Sequence, residues 1–450
     1  MRRGIGLLAL LLLASAAAGQ SAAPQRPFGT LREQAGIQQS WLKDRLERVL
    51  PSVMRTHGVD LWVIAMREYN EDPVFRGLVS PTTFAARRRT IYLFYDRGAV
   101  AGVERIALGG SSQGRLYQAL RDTSARAPDG RPRELWGADQ WAFFGRVVRE
   151  RNPRRIAVNI SPDHNFSDGL SAGEWEQMQA ALGPDLAARV VREPRLAIDY
   201  LAVRVPAMDS VYRRLQELVH EIIGTAFSSR VITPGRTTTD DVMWWMRQRL
   251  NDLGLGTWFQ PSVDVQRRGI DMTDSTAPVI RRGDVLHCDF GITALGLNTD
   301  TQHMGYVLRD GETDAPAGLR AALAASNRMQ DLLLSEMRPG RTGNEVLRAT
   351  LDRMRAEGIE GTVYTHPIGD HGHGAGPLIG LWDRQDGVPG RGDVPLLAGT
   401  WHSIELQATV PVAEWDGRPL RSMQEEEAAL TPEGAMRWVL RRQTAFHLVR

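Results

Sequence analysis

Residues 232–255 read ITPGRTTTDDVMWWMRQRLNDLGL, and residues 337–359 read MRPGRTGNEVLRATLDRMRAEGI. Pro-Gly-Arg-Thr stands at 234–237 and again at 339–342, and an acid–valine pair follows in each copy, Asp241-Val242 and Glu345-Val346. Both copies continue as an amphipathic helical pattern that stops at a glycine, Gly254 or Gly358. Threonine ahead of such a pattern is an N-cap signal and glycine behind it a C-cap signal, so the two helices share boundaries as well as residues. Two copies about 105 residues apart are too few and too widely spaced for a solenoid. They imply a duplicated half-domain.

Each copy runs into strands. In RRGDVLHCDFGITALGLNTDTQHMG (281–305), Asp289 lies six residues after Gly283 and Asp300 eleven further on; in GTWHSIEL (399–406), Glu405 lies six after Gly399. The patterns predict strands over 279–289 and 298–307 in the first half, and over 363–373, 400–410 and about 425–430 in the second. Alternation puts Asp300, Gln302 and Met304 on one face, and likewise Glu425 and Glu427. A pseudo-two-fold between the halves would bring the Asp pair opposite the Glu pair. An unpaired carboxylate in apolar surroundings costs several kcal/mol, so such acids pair, take up a proton or hold a metal. Four of them, together with the HGHG at 371–374, suit two divalent cations.

The 450-residue length is a prior for two or three domains. A hydrophobic content of 42% and a charged content of 24% are ordinary for a globular protein. The net charge is +2, with Arg2 and Arg3 in a segment expected to be removed, and gives no support for nucleic-acid binding. MRRGIGLLALLLLASAAAGQ reads as a basic, then apolar, then small-residue signal peptide over 1–19, with a linker over 20–30. Its apolar run is short of the ~20 residues that span a bilayer, so no membrane span is expected in the mature chain. Export to the periplasm or beyond follows as an expectation. Cys288 is the single cysteine, so no internal disulfide can form, and its strand setting reads as a buried core thiol.

Over 31–200, a helical pattern (Ile37, Trp41, Leu42, Leu46, Leu50) precedes apolar runs at Leu61–Met66, Thr90–Tyr95, Ile106–Leu108 and Ile156–Ile160. Helical stretches at Trp141–Arg149 and Ala172–Leu182 alternate with them, which predicts an α/β domain. Arg391-Gly392-Asp393 matches an adhesion tripeptide, but in a Gly/Pro loop chance explains it better.

Asp-Phe-Gly (289–291), Asp300 eleven later, Gly-His-Gly (372–374), Ser-Ile-Glu (403–405) and a late Glu425 six before Thr431 together resemble the pita-bread metallopeptidases: aminopeptidase P, prolidase and their relatives. The resemblance covers roughly 205–440 with specific motifs. It implies an α+β fold in which a pita-bread catalytic domain (201–450) follows a smaller creatinase-type α/β domain (31–200). It further implies two divalent ions (manganese, zinc or cobalt) held by Asp289, Asp300, His373, Glu405 and Glu425, with Glu405 also moving protons. The implied reaction is hydrolysis of a peptide bond near a free N-terminus, by an Xaa-Pro aminopeptidase or dipeptidase, with a water whose pKa the shared metals lower. A homodimer is implied as well.

Some positions depart from that pattern. The family's upstream histidine is missing from TWFQPSVDVQRR (257–268), Trp382 replaces its second histidine, and Met423 replaces its arginine, with Arg421 close by. His366 and His371 are the candidates for the missing catalytic histidine roles. Two other readings stand beside the peptidase: a binding protein on a degenerate peptidase fold, and a creatinase-like amidine hydrolase that works without metal. The latter is disfavoured because all five ligand positions are filled.

Overall fold

The computed structural model describes residues 26–121, 126–131, 135–268 and 277–450. The expected signal peptide and the linker up to residue 25 lie outside the described residues. Helix α1 (Leu31–Asp44) starts at a Thr30/Glu33 capping box and passes through a π turn at Arg45–Val49 into α2 (Leu50–Thr56). The helix expected over this stretch is therefore present, with a π turn inserted at Arg45.

A six-stranded sheet follows, in the order β4-β3-β2-β1-β5-β6. Its strands are β1 (Leu61–Arg67), β2 (Arg89–Asp96), β3 (Val103–Leu108), β4 (Gln118–Leu120), β5 (Ile156–Val158) and β6 (Val190–Arg192). Leu61–Met66 is apolar without a break because both faces of β1 are covered. Leu61, Val63 and Ala65 pack with Trp141, Phe144 and Met178 of α3 (Ala138–Arg151) and α4 (Ala172–Leu182). Trp62, Ile64 and Met66 join a core that includes Leu46, Leu50 and Met54 and runs on into the C-terminal half. The short α5 (Pro184–Ala187) and α6 (Pro194–Ala202) complete this part.

The duplication is visible as two αα units, each laid on strands. In the first, α7 (Asp209–Ala226) and α8 (Thr239–Leu253) accompany β7 (Ser262–Gln266), β8 (Val285–Phe290), the hairpin β9 (Thr293–Ala294) and β10 (Leu297–Asn298), and β11 (Thr301–Val307). In the second, α9 (Ala317–Glu336) and α10 (Gly343–Ala356) accompany β12 (Gly361–Val363), β13 (His366–Pro367), β14 (Thr400–Ser403), β15 (Leu406–Pro411), β16 (Pro419–Gln424), β17 (Glu427–Leu430) and β18 (Met436–Trp438). The last strand, β19 (His447–Val449), returns to the first half, giving the sheet order β19-β11-β8-β7. The second half forms β12-β15-β16 and β13-β14-β17-β18.

Both repeat helices start at the threonine read from the sequence. Thr238 and Asp241 exchange cap hydrogen bonds, as do Thr342 and Glu345, worth ~1 kcal/mol per cap. Gly254 and Gly358 then take φ of +67° and +66°, a left-handed stop that residues with a Cβ adopt at a cost. The halves meet where Gln302 and Glu425 exchange backbone N–H···O bonds, each of 3.1 Å. The strand expected over 363–373 is different. It is broken at 364–365 into β12 and β13, which lie in different sheets, and after Pro367, which has no N–H, the chain turns irregular through Gly369 (φ +143°), Gly372, Gly374 and Gly376 (φ +132°). Cys288 is fully buried in the core, as its strand setting required. Among the described residues no helix is long and apolar enough to cross a membrane.

Candidate metal centre

Strands β8 and β11 pair antiparallel with Asp289 opposite Gln302, so the period-two alternation puts His287, Asp289, Gln302 and, at the strand's start, Asp300 on one face. The other face carries Cys288, Phe290, Thr301 and His303. From the second half, Glu405 follows β14, and Glu425 sits in the bridge to Gln302. Donor atoms of Asp289, Asp300 and Glu425 lie within 4.8 Å of one another, as do those of His366, Glu405 and Glu425. All four predicted carboxylates are thus brought together.

Two carboxylates about 4 Å apart repel by ~4 kcal/mol even at an effective dielectric of 20. Burial first, then Glu425, Asp289 and Glu405, push the Asp300 carboxyl well above its usual range. Burial, Glu425 and Asp289 do the same to Glu405. Asp289 is pushed up to about 7 by burial and then by Glu425. One oxygen each of Asp289 and Asp300 is buried with no hydrogen-bond partner, an arrangement that costs free energy unless a cation supplies the missing contact.

His366 supplies the clearest evidence of fit. It is fully buried, and its Nδ1–H donates to the Pro367 carbonyl at 3.0 Å. In the neutral ring that leaves a bare Nε2, which faces Glu425 Oε1 at 3.2 Å, Asp300 Oδ2 at 3.7 Å and Glu405 Oε2 at 3.9 Å. A lone pair aimed at carboxylate oxygens needs a proton or a metal ion between them. The backbone carbonyl on the far nitrogen is the usual partner of a ligating histidine. The donor set of four carboxylates and one imidazole therefore suits divalent cations.

The resemblance implies His373 as a ligand and His366 in a catalytic role. In the structure His366 lies amid the carboxylates. His373 stands beside it, 4.7 Å between ring centroids, exposed on its outer side but with a donor atom still within 4.8 Å of Asp300 and His366. Burial and then His366 lower the His373 ring to about 4. His371 is directed elsewhere. It packs on Phe166 at 4.7 Å and, with Asp370, lines a cleft of about 570 Å³ that also takes in Arg45, Arg76, Phe84 and Asn298. The shift arises because the loop after Pro367 folds back on itself, so residue spacing along it does not measure distance to the acids.

Glu425 and Glu426 face opposite ways, as neighbours in extended chain must. Glu426 accepts from His303 at 2.7 Å and His220 at 2.9 Å on the far face. Burial would raise its carboxyl, but those two histidines outweigh that and hold it at about 2.

Several residues near the centre were not singled out from the sequence. Gln302 donates to both Glu405 and Glu425; alternation with Asp300 was its available signal. Tyr364 Oη lies 3.4 Å from His373 Nε2, and Trp258 packs edge-on against His373 at 5.1 Å. Arg391, set aside with its tripeptide, donates to the Gly374 carbonyl at 3.3 Å on the same loop. Arg421 and Trp382 both point to solvent.

No curated protein matches the chain by sequence. Solved structures do match in fold: an X-Pro aminopeptidase from Thermotoga maritima (TM-score 0.59, 16% identity, 88% of this chain and 100% of that one) and a dipeptidase from Mycobacterium ulcerans (0.57, 16%, 92% and 98%). An Xaa-Pro dipeptidase from Bacillus anthracis is also similar (0.55, 15%, 92% and 100%). At such identities these show the fold, pita-bread with a preceding α/β part. The family model for metallopeptidase family M24 matches residues 210–437, half of the chain and all of the region that builds the centre. The chain belongs to metallopeptidase family M24.

Proposed function

We propose that the protein is an exported dinuclear metallo-exopeptidase that hydrolyses Xaa-Pro bonds at a free N-terminus. The observation that carries this reading is the His366 Nε2 lone pair facing three carboxylates, beside two orphaned aspartate oxygens. Asp289, Asp300, His366, Glu405 and Glu425 would hold two divalent ions, manganese, zinc or cobalt. When bound, such ions polarise a carbonyl and lower the pKa of water toward neutrality.

The chain's own residues do the remainder. Glu405, beside His366 and Glu425, is placed to take a proton from the attacking water and give it to the leaving nitrogen. Tyr364, His373 and Arg391 stand at the rim as hydrogen-bond donors for the substrate's carbonyl or carboxylate, where the family's accessory histidine and arginine are missing. Trp258 closes the side next to His373. The preference for proline rests on the two-part layout shared with the named aminopeptidase and dipeptidases. Export rests on the N-terminal sequence, and a homodimer on the family resemblance; light scattering checks the latter.

The test is turnover. Purified protein with added Mn²⁺, Co²⁺ or Zn²⁺ releases the first residue from Xaa-Pro peptides, and Asp300→Asn loses this while keeping its circular dichroism. A second reading, a binding protein on the same fold, is motivated by the outward-facing Trp382 in place of a histidine. Bound metal without cleavage across a broad peptide panel would favour it.

A further inference from the structure

We infer that Gln302, held by His287 and Asp264, is a positioning residue that decides which oxygens of Glu405 and Glu425 are free to act. This rests on the metallopeptidase reading of the same centre. Gln302 Nε2 has two hydrogens and uses both on glutamates. One goes to Glu405 Oε1 at 2.8 Å and the other to Glu425 Oε2 at 2.9 Å. The capped oxygens are not those nearest His366, which are Glu405 Oε2 and Glu425 Oε1. Ser403 Oγ donates to Glu425 Oε1 at 2.6 Å. Glu405 Oε2 is therefore the glutamate oxygen left without a hydrogen-bond donor from these side chains, free for a metal or a proton.

This selection works only if the Gln302 amide keeps its orientation. Flipped, its oxygen would meet two carboxylate oxygens, all acceptors. His287 prevents the flip: its Nε2 lies 2.9 Å from Gln302 Oε1 and donates to it. His287 Nδ1 in turn lies 3.3 Å from Asp264 Oδ2. The ring is thus held between Asp264 and the Gln302 amide oxygen, one contact on each nitrogen. The sheet register builds this chain directly. Asp264 is the β7 partner of His287, and Gln302 is the β11 partner of Asp289, two residues along from His287. Gln302 also clamps Glu425 through its backbone, so one residue fixes both the main chain and the side chain of that glutamate. Buried amides that satisfy every donor and acceptor in this way rigidify the groups they touch.

The experiment is a Co²⁺ titration of the metal-free full-length protein, followed by visible absorption, alongside kcat and KM on an Xaa-Pro peptide. Wild type binds two Co²⁺. Gln302→Leu, which keeps the bulk and loses the amide, binds at least one ion roughly 10–100-fold more weakly, the usual loss when a ligand's support is removed. Its absorption bands change, and kcat falls while KM changes little. His287→Leu, which leaves Gln302 in place, shows the same signature to a smaller degree, and His287→Gln, which keeps a donor, restores most of the lost affinity. This second pair decides the matter if Gln302→Leu fails to fold. Wild-type affinity and spectrum in both leucine variants would overturn the positioning role alone. Failure of the wild type to bind Co²⁺ would overturn the metal centre itself and this role with it.

Discussion

Replacing Asp289 by asparagine should stabilise the metal-free protein and remove its response to metal. Asp289 sits at about 7 against an ordinary 3.8, with burial and Glu425 as the leading causes. A shift of about three units corresponds to ~4 kcal/mol at ~1.4 kcal/mol per unit; because the side chain is partly open to solvent, screening brings this to ~2 kcal/mol. The sign follows from linkage. A carboxyl raised in the folded state contributes its stability below its unfolded pKa, and that contribution is lost as pH rises through its folded pKa. Metal-free wild type should therefore lose ~2 kcal/mol between about pH 4 and pH 8, which Asp289→Asn retains. Urea denaturation of chelator-treated protein measures this. At about pH 8 the variant should exceed wild type by ~2 kcal/mol, and near pH 4 the two should converge. Saturating Mn²⁺ should reverse the order, since an ion at about 100 times its Kd stabilises wild type by ~2.7 kcal/mol. A variant less stable than metal-free wild type at high pH, or one that gains as much from Mn²⁺, would refute the reasoning.

Other outcomes follow from separate parts of the molecule. Burial would raise the Asp370 carboxyl, but Arg45 and Arg204 hold it at about 2; Asp370→Asn leaves two buried guanidiniums uncompensated and should cost ~3–5 kcal/mol in urea denaturation. Because this carboxyl is depressed, its contribution is present above the ordinary carboxylate pKa and is lost as pH falls toward about 2, which an acid titration followed by circular dichroism will register. Cys288 is buried with its thiol pushed up by that burial, so a thiol reagent should label it only after denaturation.

The duplication, the four acids and the α/β arrangement before them were legible because each rests on local rules. Caps fix helix ends, and alternation fixes which side chains share a face. Cross-strand register then brought Asp289, Asp300 and Gln302 together. The histidine was not legible in the same way. His366 and His373 are seven residues apart on a segment that turns at Pro367 and Gly369, and the Gly-His-Gly motif does not reveal that both rings come beside Asp300. His287 and Asp264 escaped notice because a diagonal contact across three strands has no linear spacing. Arg391 was masked by a chance tripeptide. Its neighbour Gly374 lies 17 residues away in sequence, and only the folded loop joins them.

The central claim is that Asp289, Asp300, His366, Glu405 and Glu425 form one dinuclear site. Anomalous diffraction from crystals of the Mn²⁺-loaded protein, recorded above the manganese absorption edge, tests it most directly. Two peaks should appear between these five side chains, with His366 Nε2 as the histidine ligand. Absence of peaks among the carboxylates, or an ion held by His373 with His366 turned away, would contradict the account.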